Sequence, residues 1–181
     1  CVEWGIPLIE DAAESLGSYV DDRHTGTFGE MGTLSFNGNK LITTGGGGML
    51  ITDCPVLAKR AKHITTTAKV PHPYEFVHDE IGFNYRMPNL NAALGCAQME
   101  RLLEFLVVKA KLSEQWSEFF ASQGVFFPKA LDKDTTNCWL NAVVLDSKSD
   151  RDKFLKYTNE GDVMTRPIWQ LMSELKMYKN C

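Results

Sequence analysis

Long apolar runs, paired cysteines, a basic excess and the common phosphate-binding glycine signatures are all missing from this sequence, and each absence narrows the field. No apolar stretch reaches the roughly 18 residues a membrane-spanning helix needs, so no membrane association is expected. The five cysteines, Cys1, Cys54, Cys96, Cys138 and Cys181, are odd in number and widely spaced. With no CxxC pair and no disulfide framework, a reducing cytoplasm is the expected compartment. Lys and Arg total 19 against 23 Asp and Glu, a formal charge of −4, which gives no electrostatic reason to expect nucleic acid as a partner. The GxxxxGK[ST] spacing is absent, and no GxGxxG opens a helix after a strand, so neither a P-loop nor a dinucleotide fingerprint is present. His63, His72 and His78 fit no zinc-finger spacing and have no cysteine pair beside them, so no metal is expected; they read as bordering a substrate channel or a dimer interface.

What remains is a chain of 181 residues, 44% apolar, enough for one domain or one domain with a small appendage. It starts at Cys1 without a signal peptide and stops at Asn180-Cys181 without a polar tail, and it reads as a fragment of a longer chain. Ile6-Pro7-Leu8-Ile9 predicts a buried strand whose C-terminal end presents Glu10 and Asp11. Thr33–Phe36 and Met49–Thr52 predict two more strands, joined by a loop rich in Gly, Asn and Thr that holds Lys40. Pro55 opens a helix carrying Leu57, Ala58, Ala61 and Ile64 on one face. Residues 65–88 read as a long irregular loop with a functional or interfacial role. From about Asn89 to Ser122 apolar residues recur at spacings of three and four, giving one long kinked helix or two helices, with Trp116, Phe119 and Phe120 on the core face. Val125–Phe127 and Cys138–Leu145 predict strands, and Ser149–Asp152 a capped helix start running to about Asn159. The expected division is a larger α/β part over residues 1–108 and a small α+β domain over 109–181.

Three residues suggest chemistry. Asp11 stands just past a strand, where ligand sites of α/β sheets gather, though it also reads as a helix cap for Ala12–Glu14. Ser35 ends a second strand, and Lys40 lies five residues on, before Thr43, Thr44 and four glycines whose amides can approach an anion closely. Alone, Lys40 is a solvated charge in a flexible loop. Together, a carboxylate, a hydroxyl and a lysine suit pyridoxal phosphate: the amine forms a Schiff base with the aldehyde, the carboxylate keeps the pyridine nitrogen protonated, and the hydroxyl holds the phosphate.

Four segments, Ile9–Ser18, Ser35–Lys40, Thr43–Met49 and Gly82–Asn89, in that order, resemble the DegT/DnrJ/StrS family of fold-type-I pyridoxal phosphate aminotransferases. The resemblance implies Asp11 as partner of the pyridine nitrogen, and Glu14, where many relatives have Gln, near the ring hydroxyl and the substrate. It implies Ser35 as a phosphate ligand, Lys40 as the Schiff-base lysine and proton shuttle, and Asn84 as a residue reaching the cofactor of the neighbouring subunit in a homodimer. Arg86 is expected at a dimer or phosphate contact and Asn141 in the substrate region; Trp139 reads as core. Glu14, Asn37, Gly45–Gly48 and Val70–Glu80 resemble the 4-aminotransferases that make UDP-4-amino-4,6-dideoxy-N-acetylhexosamines for bacillosamine- or legionaminic-acid-type surface glycans. The implied substrates are a UDP-linked 4-keto sugar and glutamate as amino donor. Members of this family are longer, and the missing part precedes Cys1, so the isolated chain is expected to be catalytically inactive. The alternatives are a sugar dehydratase, which Lys40 argues against because such relatives carry histidine there, and an inactive remnant or non-enzymatic regulator keeping the fold.

Overall fold

The computed structural model describes residues 1–130 and 134–179. In chain order the elements are strands β1 (Ile9–Asp11), β2 (Tyr19–Val20), β3 (Arg23–His24), β4 (Met31–Ser35) and β5 (Gly48–Ile51), then helix α1 (Pro55–Thr65). Strands β6 (Lys69–Val70) and β7 (Val77–His78), helices α2 (Asn89–Met99) and α3 (Leu102–Ser122), strand β8 (Asp134–Thr135) and helix α4 (Lys148–Glu160) follow. The chain divides into two compact units, residues 1–118 with 129–141, and residues 119–128 with 142–181. Val108, the expected boundary, falls inside the first.

In the first unit, β1 pairs in parallel with β4, with Ile9 opposite Met31 and Asp11 opposite Thr33, and β5 pairs antiparallel on the other side of β4. The parallel pairing brings the C-terminal ends of β1 and β4 to one edge of the sheet. Leu34 of β4 is buried with Ala12, Phe36 and Ile42, and Leu16, Met87, Leu102 and Phe105 pack against this cluster. The strand predicted at Ile6–Ile9 is displaced toward the C-terminus and is not buried. Pro7 has no N–H to give a ladder, pairing begins at Ile9, and that residue stays 65% exposed because β1 has a neighbour on one side only.

A second small sheet has the order β3-β2-β8. Its β2–β3 hairpin turns through Asp21 and Asp22, both with positive φ (45° and 64°), the left-handed pair that matches strand twist in a two-residue hairpin. Residues 65–88 are more ordered than the irregular loop expected. They contain the β6–β7 hairpin, with Lys69 opposite His78, and a bridge between Thr66 and Asn84. Two-residue strands next to Pro71 and Pro73 are too short to show alternation in sequence.

The long helical pattern resolves into two helices. The chain tightens at Glu100–Arg101, where the Arg101 N–H donates to the Gln98 carbonyl, three residues back. Trp116 and Phe119 are exposed rather than core. On α3 Leu103, Val107 and Val108 are exposed as well, so the helix is apolar on more sides than this chain covers.

In the second unit Phe120 stacks near Phe127 and meets Phe154 edge-on, at 6.4 and 6.5 Å between centroids. The expected strands at 125–127 and 138–145 reduce to one bridge, Phe126 to Val144. Cys138 has φ +48°, which breaks extended backbone at the start of the second run. Helix α4 is capped by Ser147, two residues before the expected start. Its hydroxyl accepts from the Asp150 N–H at 3.1 Å and donates to the Asp150 carboxylate at 2.6 Å.

Candidate active site

Lys40 sits in the connection from β4 to β5, and the core holds both ends of that connection. Phe36 and Ile42 flank the lysine and are buried, Ile42 to 1% exposure. Between them Asn37–Lys40 form a turn closed by the Lys40 N–H and the Asn37 carbonyl at 3.1 Å. The return is fastened by Thr44 N–H to Phe36 O and Phe36 N–H to Gly47 O, each 3.0 Å, and Gly47 takes φ +95°, which a side chain would strain. Helix α2 clamps the loop from its own side. The Gln98 side-chain oxygen accepts from the Thr43 N–H at 2.8 Å, and the Asn91 amide donates to the Thr44 carbonyl. Gly95 makes this approach feasible: a Cβ there would stand 2.8 Å from Cγ2 of the buried Thr44. A lysine in a Gly-rich stretch is therefore on a fixed loop, contrary to the solvated-charge reading.

The Lys40 side chain is 13% exposed, and its Nζ lies 3.1 Å from Glu14 Oε1 and 4.3 Å from the centroid of the Trp139 ring. Glu14 is held in turn. The Ala12–Ser18 turn is fixed by Gly17 N–H donating to His24 Nε2 at 2.9 Å and by the Thr25 hydroxyl donating to Ser15 Oγ at 2.8 Å. Upstream, the Glu10 carboxylate accepts from the Gly26 N–H at 2.8 Å and the Gly29 N–H at 2.6 Å. Partial burial alone would raise the pKa of Glu10; the N–H groups of Gly29, Gly26 and Phe28 and the charge of Arg23 outweigh it and hold the carboxyl below its ordinary value.

Asp11 ends β1 on the same sheet edge as Ser35. No helix follows it, so the capping alternative falls; its Oδ1 accepts from the Ala13 N–H at 3.2 Å and the Thr33 hydroxyl at 3.5 Å. The Ser35 hydroxyl accepts from the Asn37 N–H at 3.3 Å. Thus Asp11, Glu14, Ser35 and Lys40 gather at the C-terminal edge of the β1–β4 pair, and Glu14 and Lys40 touch. Asn84 and Arg86 lie elsewhere, against the end of α1: Asn84 bridges Thr66, and Arg86 donates to the Thr66 carbonyl at 3.2 Å. Asn141 is exposed. The residue of its segment that reaches Lys40 is Trp139, which sequence reasoning placed in the core.

Asn137, which sequence reasoning did not single out, is why Trp139 arrives there. It is 4% exposed, and its N–H and both ends of its side-chain amide are bonded. Its side-chain amide donates to the carbonyls of Glu14 (2.8 Å) and Leu16 (3.0 Å), its N–H donates to Ser18 Oγ (3.0 Å), and its Oδ1 accepts from the Trp139 N–H (3.0 Å). The Trp139 indole N–H then donates to the Asn39 carbonyl at 2.6 Å, beside Lys40. These partners lie some hundred positions apart, so no local pattern announces them.

The histidines take other places. His63 Nε2 lies 2.7 Å from Asp79 and 3.4 Å from Glu80, and Glu80 also pairs with Arg60 through both carboxylate oxygens. The three groups are close enough for a cation, but the Arg60 charge already occupies the Glu80 carboxylate and opposes one. The side-chain hydrogen bond from His63 holds the Asp79 carboxyl below its usual range. His72 accepts from the Glu75 N–H at 2.9 Å, ordering the hairpin connection. Among the described residues no helix is long and apolar enough to cross a membrane.

The family model for the DegT/DnrJ/EryC1/StrS aminotransferases matches residues 1–181. EpsN of Bacillus subtilis is 36% identical over 171 residues, covering 94% of this chain and 44% of that protein. The GDP-perosamine synthase of Vibrio cholerae is 32% identical over 182 residues, covering 99% and 49%. Among solved structures, the aminotransferase TlmJ of Streptoalloteichus hindustanus superimposes with a TM-score of 0.92 at 29% identity, over 98% of this chain and 49% of that one. The chain thus spans about half the length of the relatives it matches. With an α/β sheet edge carrying Asp11, Ser35 and a fixed Lys40, and a match along its whole length, the chain belongs to the DegT/DnrJ/EryC1/StrS aminotransferase family, whose members use pyridoxal phosphate.

Proposed function

We propose that this chain carries the lysine-bearing part of a pyridoxal phosphate-dependent aminotransferase acting on a nucleotide-linked keto sugar. The observation that carries the reading is the Lys40 amine, 13% exposed and ion-paired with Glu14, on a core-anchored loop beside the strand ends of Asp11 and Ser35. The donor set fits the cofactor. Lys40 offers the one amine in this cluster. Asp11 offers a carboxylate whose Oδ2 has no hydrogen bond among the described residues, suited to a protonated ring nitrogen. The Ser35 hydroxyl suits a phosphate; of the glycine amides, that of Gly45 is already given to Thr43 Oγ1 at 2.9 Å. When bound, the cofactor supplies an aldehyde and an electron-accepting ring.

The chain's own residues then divide the work. Asp11 orients the ring and keeps its nitrogen charged. Ser35 fixes the phosphate end. Lys40 takes and returns a proton at Nζ, and Glu14 supplies the opposing charge that holds the amine in place. We assign Asn84 to the cofactor of a second subunit in a homodimer, Arg86 to the same interface or to a substrate phosphate, and Asn141 to the substrate region.

For the substrate, the motifs at Glu14, Asn37 and residues 70–80 favour a UDP-linked 4-keto-6-deoxy-N-acetylhexosamine, with glutamate as amino donor. A second reading, a GDP-linked sugar, is favoured by relatives named GDP-perosamine synthase, 32–33% identical across 94–99% of this chain. Incubation of a full-length protein carrying this segment with glutamate and each keto sugar, followed by mass analysis for the amino sugar, separates the two. The cofactor reading is tested on the chain itself. With pyridoxal phosphate and borohydride, one adduct is expected on Lys40 and none at that peptide in Lys40→Ala. Adducts spread over exposed lysines without preference for Lys40 would refute it.

A further inference from the structure

We propose that Trp139 is a positioning residue for Lys40, acting through both parts of its indole. The ring face lies 4.3 Å from the Lys40 ammonium, and the ring N–H is tied to the carbonyl of Asn39, the residue before it, at 2.6 Å. An aromatic face attracts a cation, and more strongly where water is thinned, as around an amine only 13% exposed. The tether adds what the ring alone lacks. Asn39 is exposed at the tip of the turn, where its side chain is held only locally, its Oδ1 accepting from the Asn37 amide at 3.1 Å. The geometry therefore makes Trp139 a clip: it fixes the loop tip from the backbone and the amine from its π face.

Glu14 does a different part of the same task. It gives the amine a countercharge but is 49% exposed, so salt screens it readily. The Trp139 contribution should survive salt. Asn137 sets the clip by its own buried bonds, so the Glu14 and Trp139 supports are mechanically linked: one amide holds the Glu14 carbonyl and accepts from the Trp139 N–H.

This inference rests on Lys40 being the functional amine, but its test does not require cofactor. Trace acetylation of the cofactor-free chain with acetic anhydride reads the reactivity and accessibility of each lysine amine by peptide mass analysis. Lys156, whose side chain is 76% exposed, serves as the internal standard. At fixed pH and high salt, W139L should raise Lys40 acetylation about three- to tenfold against Lys156, because the amine loses the ring face that holds and covers it. W139F keeps the ring face and should stay within about twofold. Hydrogen exchange reads the tether: amides of the 36–44 loop should exchange faster in both variants, while those of β4 and α2 keep their protection. Unchanged Lys40 acetylation in W139L with the fold intact overturns the proposal. If W139L loses protection throughout, W139F decides alone: faster exchange confined to the loop supports the tether, and unchanged or uniformly faster exchange overturns it. If Lys40 proves to bind no cofactor, these outcomes stand unaltered, so the two readings fail separately.

Discussion

Replacing Asn137 by aspartate is nearly isosteric and should be among the most damaging single changes in the first unit. The side chain is buried and donates to two carbonyls, of Glu14 at 2.8 Å and Leu16 at 3.0 Å. A carboxylate cannot donate. Two lost hydrogen bonds cost about 2 kcal/mol net, and an anionic oxygen set against two carbonyl oxygens adds roughly another 1–2. Asn137→Ala loses the same two bonds and the acceptor for the Trp139 N–H, about 3 kcal/mol by the same reckoning, but it places no charge there and leaves room for a water that restores part of this; about 2 kcal/mol is expected. The ranking, aspartate worse than alanine, separates this account from one based on volume alone. Burial raises the pKa of the introduced carboxyl, and its neutral form donates one bond. The N137D deficit should therefore shrink as pH falls toward the acid range, while that of N137A stays level over the same window. Urea unfolding followed by tryptophan fluorescence gives both values. An N137D protein within about 0.5 kcal/mol of the parent, or more stable than N137A at neutral pH, would sink the argument.

Four further outcomes are expected. Gly95→Ala should destabilise by about 1–3 kcal/mol through the Thr44 methyl, and Thr44→Ser, which removes that methyl, should recover most of it in the double variant. The Glu10 carboxyl titrates below its ordinary value of 4.5, so its contribution is fully present above that pH and is lost as pH falls through the lowered value. Stability curves of the parent and Glu10→Gln should accordingly converge below pH 4.5 and run apart above it. Ser147→Ala should cost about 1 kcal/mol by uncapping α4, read as faster exchange in its first turn. Arg60→Ala should leave the urea midpoint almost unchanged despite the two-point contact with Glu80, because the pair faces water; a clear drop would mean that the pair does more than a surface ion pair can.

The parts of the fold legible in sequence were those with local cause. Pro55 and the spacing of Leu57, Ala61 and Ile64 announce α1, and the repeat from Asn89 onward announces the helical region. Its break at Glu100–Arg101 is invisible, because helix periodicity continues across it and the tightening comes from the i−3 bond to Gln98. The run Cys138–Leu145 reads as a strand by composition and is not one. The Trp139 N–H donates to the Asn137 side chain, Asn137 is itself fastened to Ser18, and Cys138 takes a left-handed conformation that turns Trp139 toward the Lys40 loop. Tertiary contacts override propensity there, beside the candidate site.

The same division runs through the site. The placement of Asp11, Ser35 and Lys40 was legible because Asp11 and Ser35 end β1 and β4, Lys40 follows β4, and parallel strands present their C-terminal ends together. What makes Lys40 a fixed amine rather than a loose one is not local. Thr43 and Thr44 are gripped by Gln98 and Asn91 of α2, and the turn tip is gripped by Trp139. A family motif identifies the lysine, but the residues that hold it are scattered over about a hundred positions and are ordinary in type: an asparagine, a glutamine, a tryptophan. Loosening any one of them leaves the motif intact and moves the amine. Variants at Asn91, Gln98 or Trp139 should therefore alter the reactivity of Lys40 more than they alter overall stability, whereas variants at Leu34 or Ile42 should do the reverse. Measuring Lys40 acetylation and urea midpoints on the same set of proteins tests that separation. If the two quantities tracked each other across all five positions, the loop would have no independent anchorage, and the site would be only as ordered as the core beneath it.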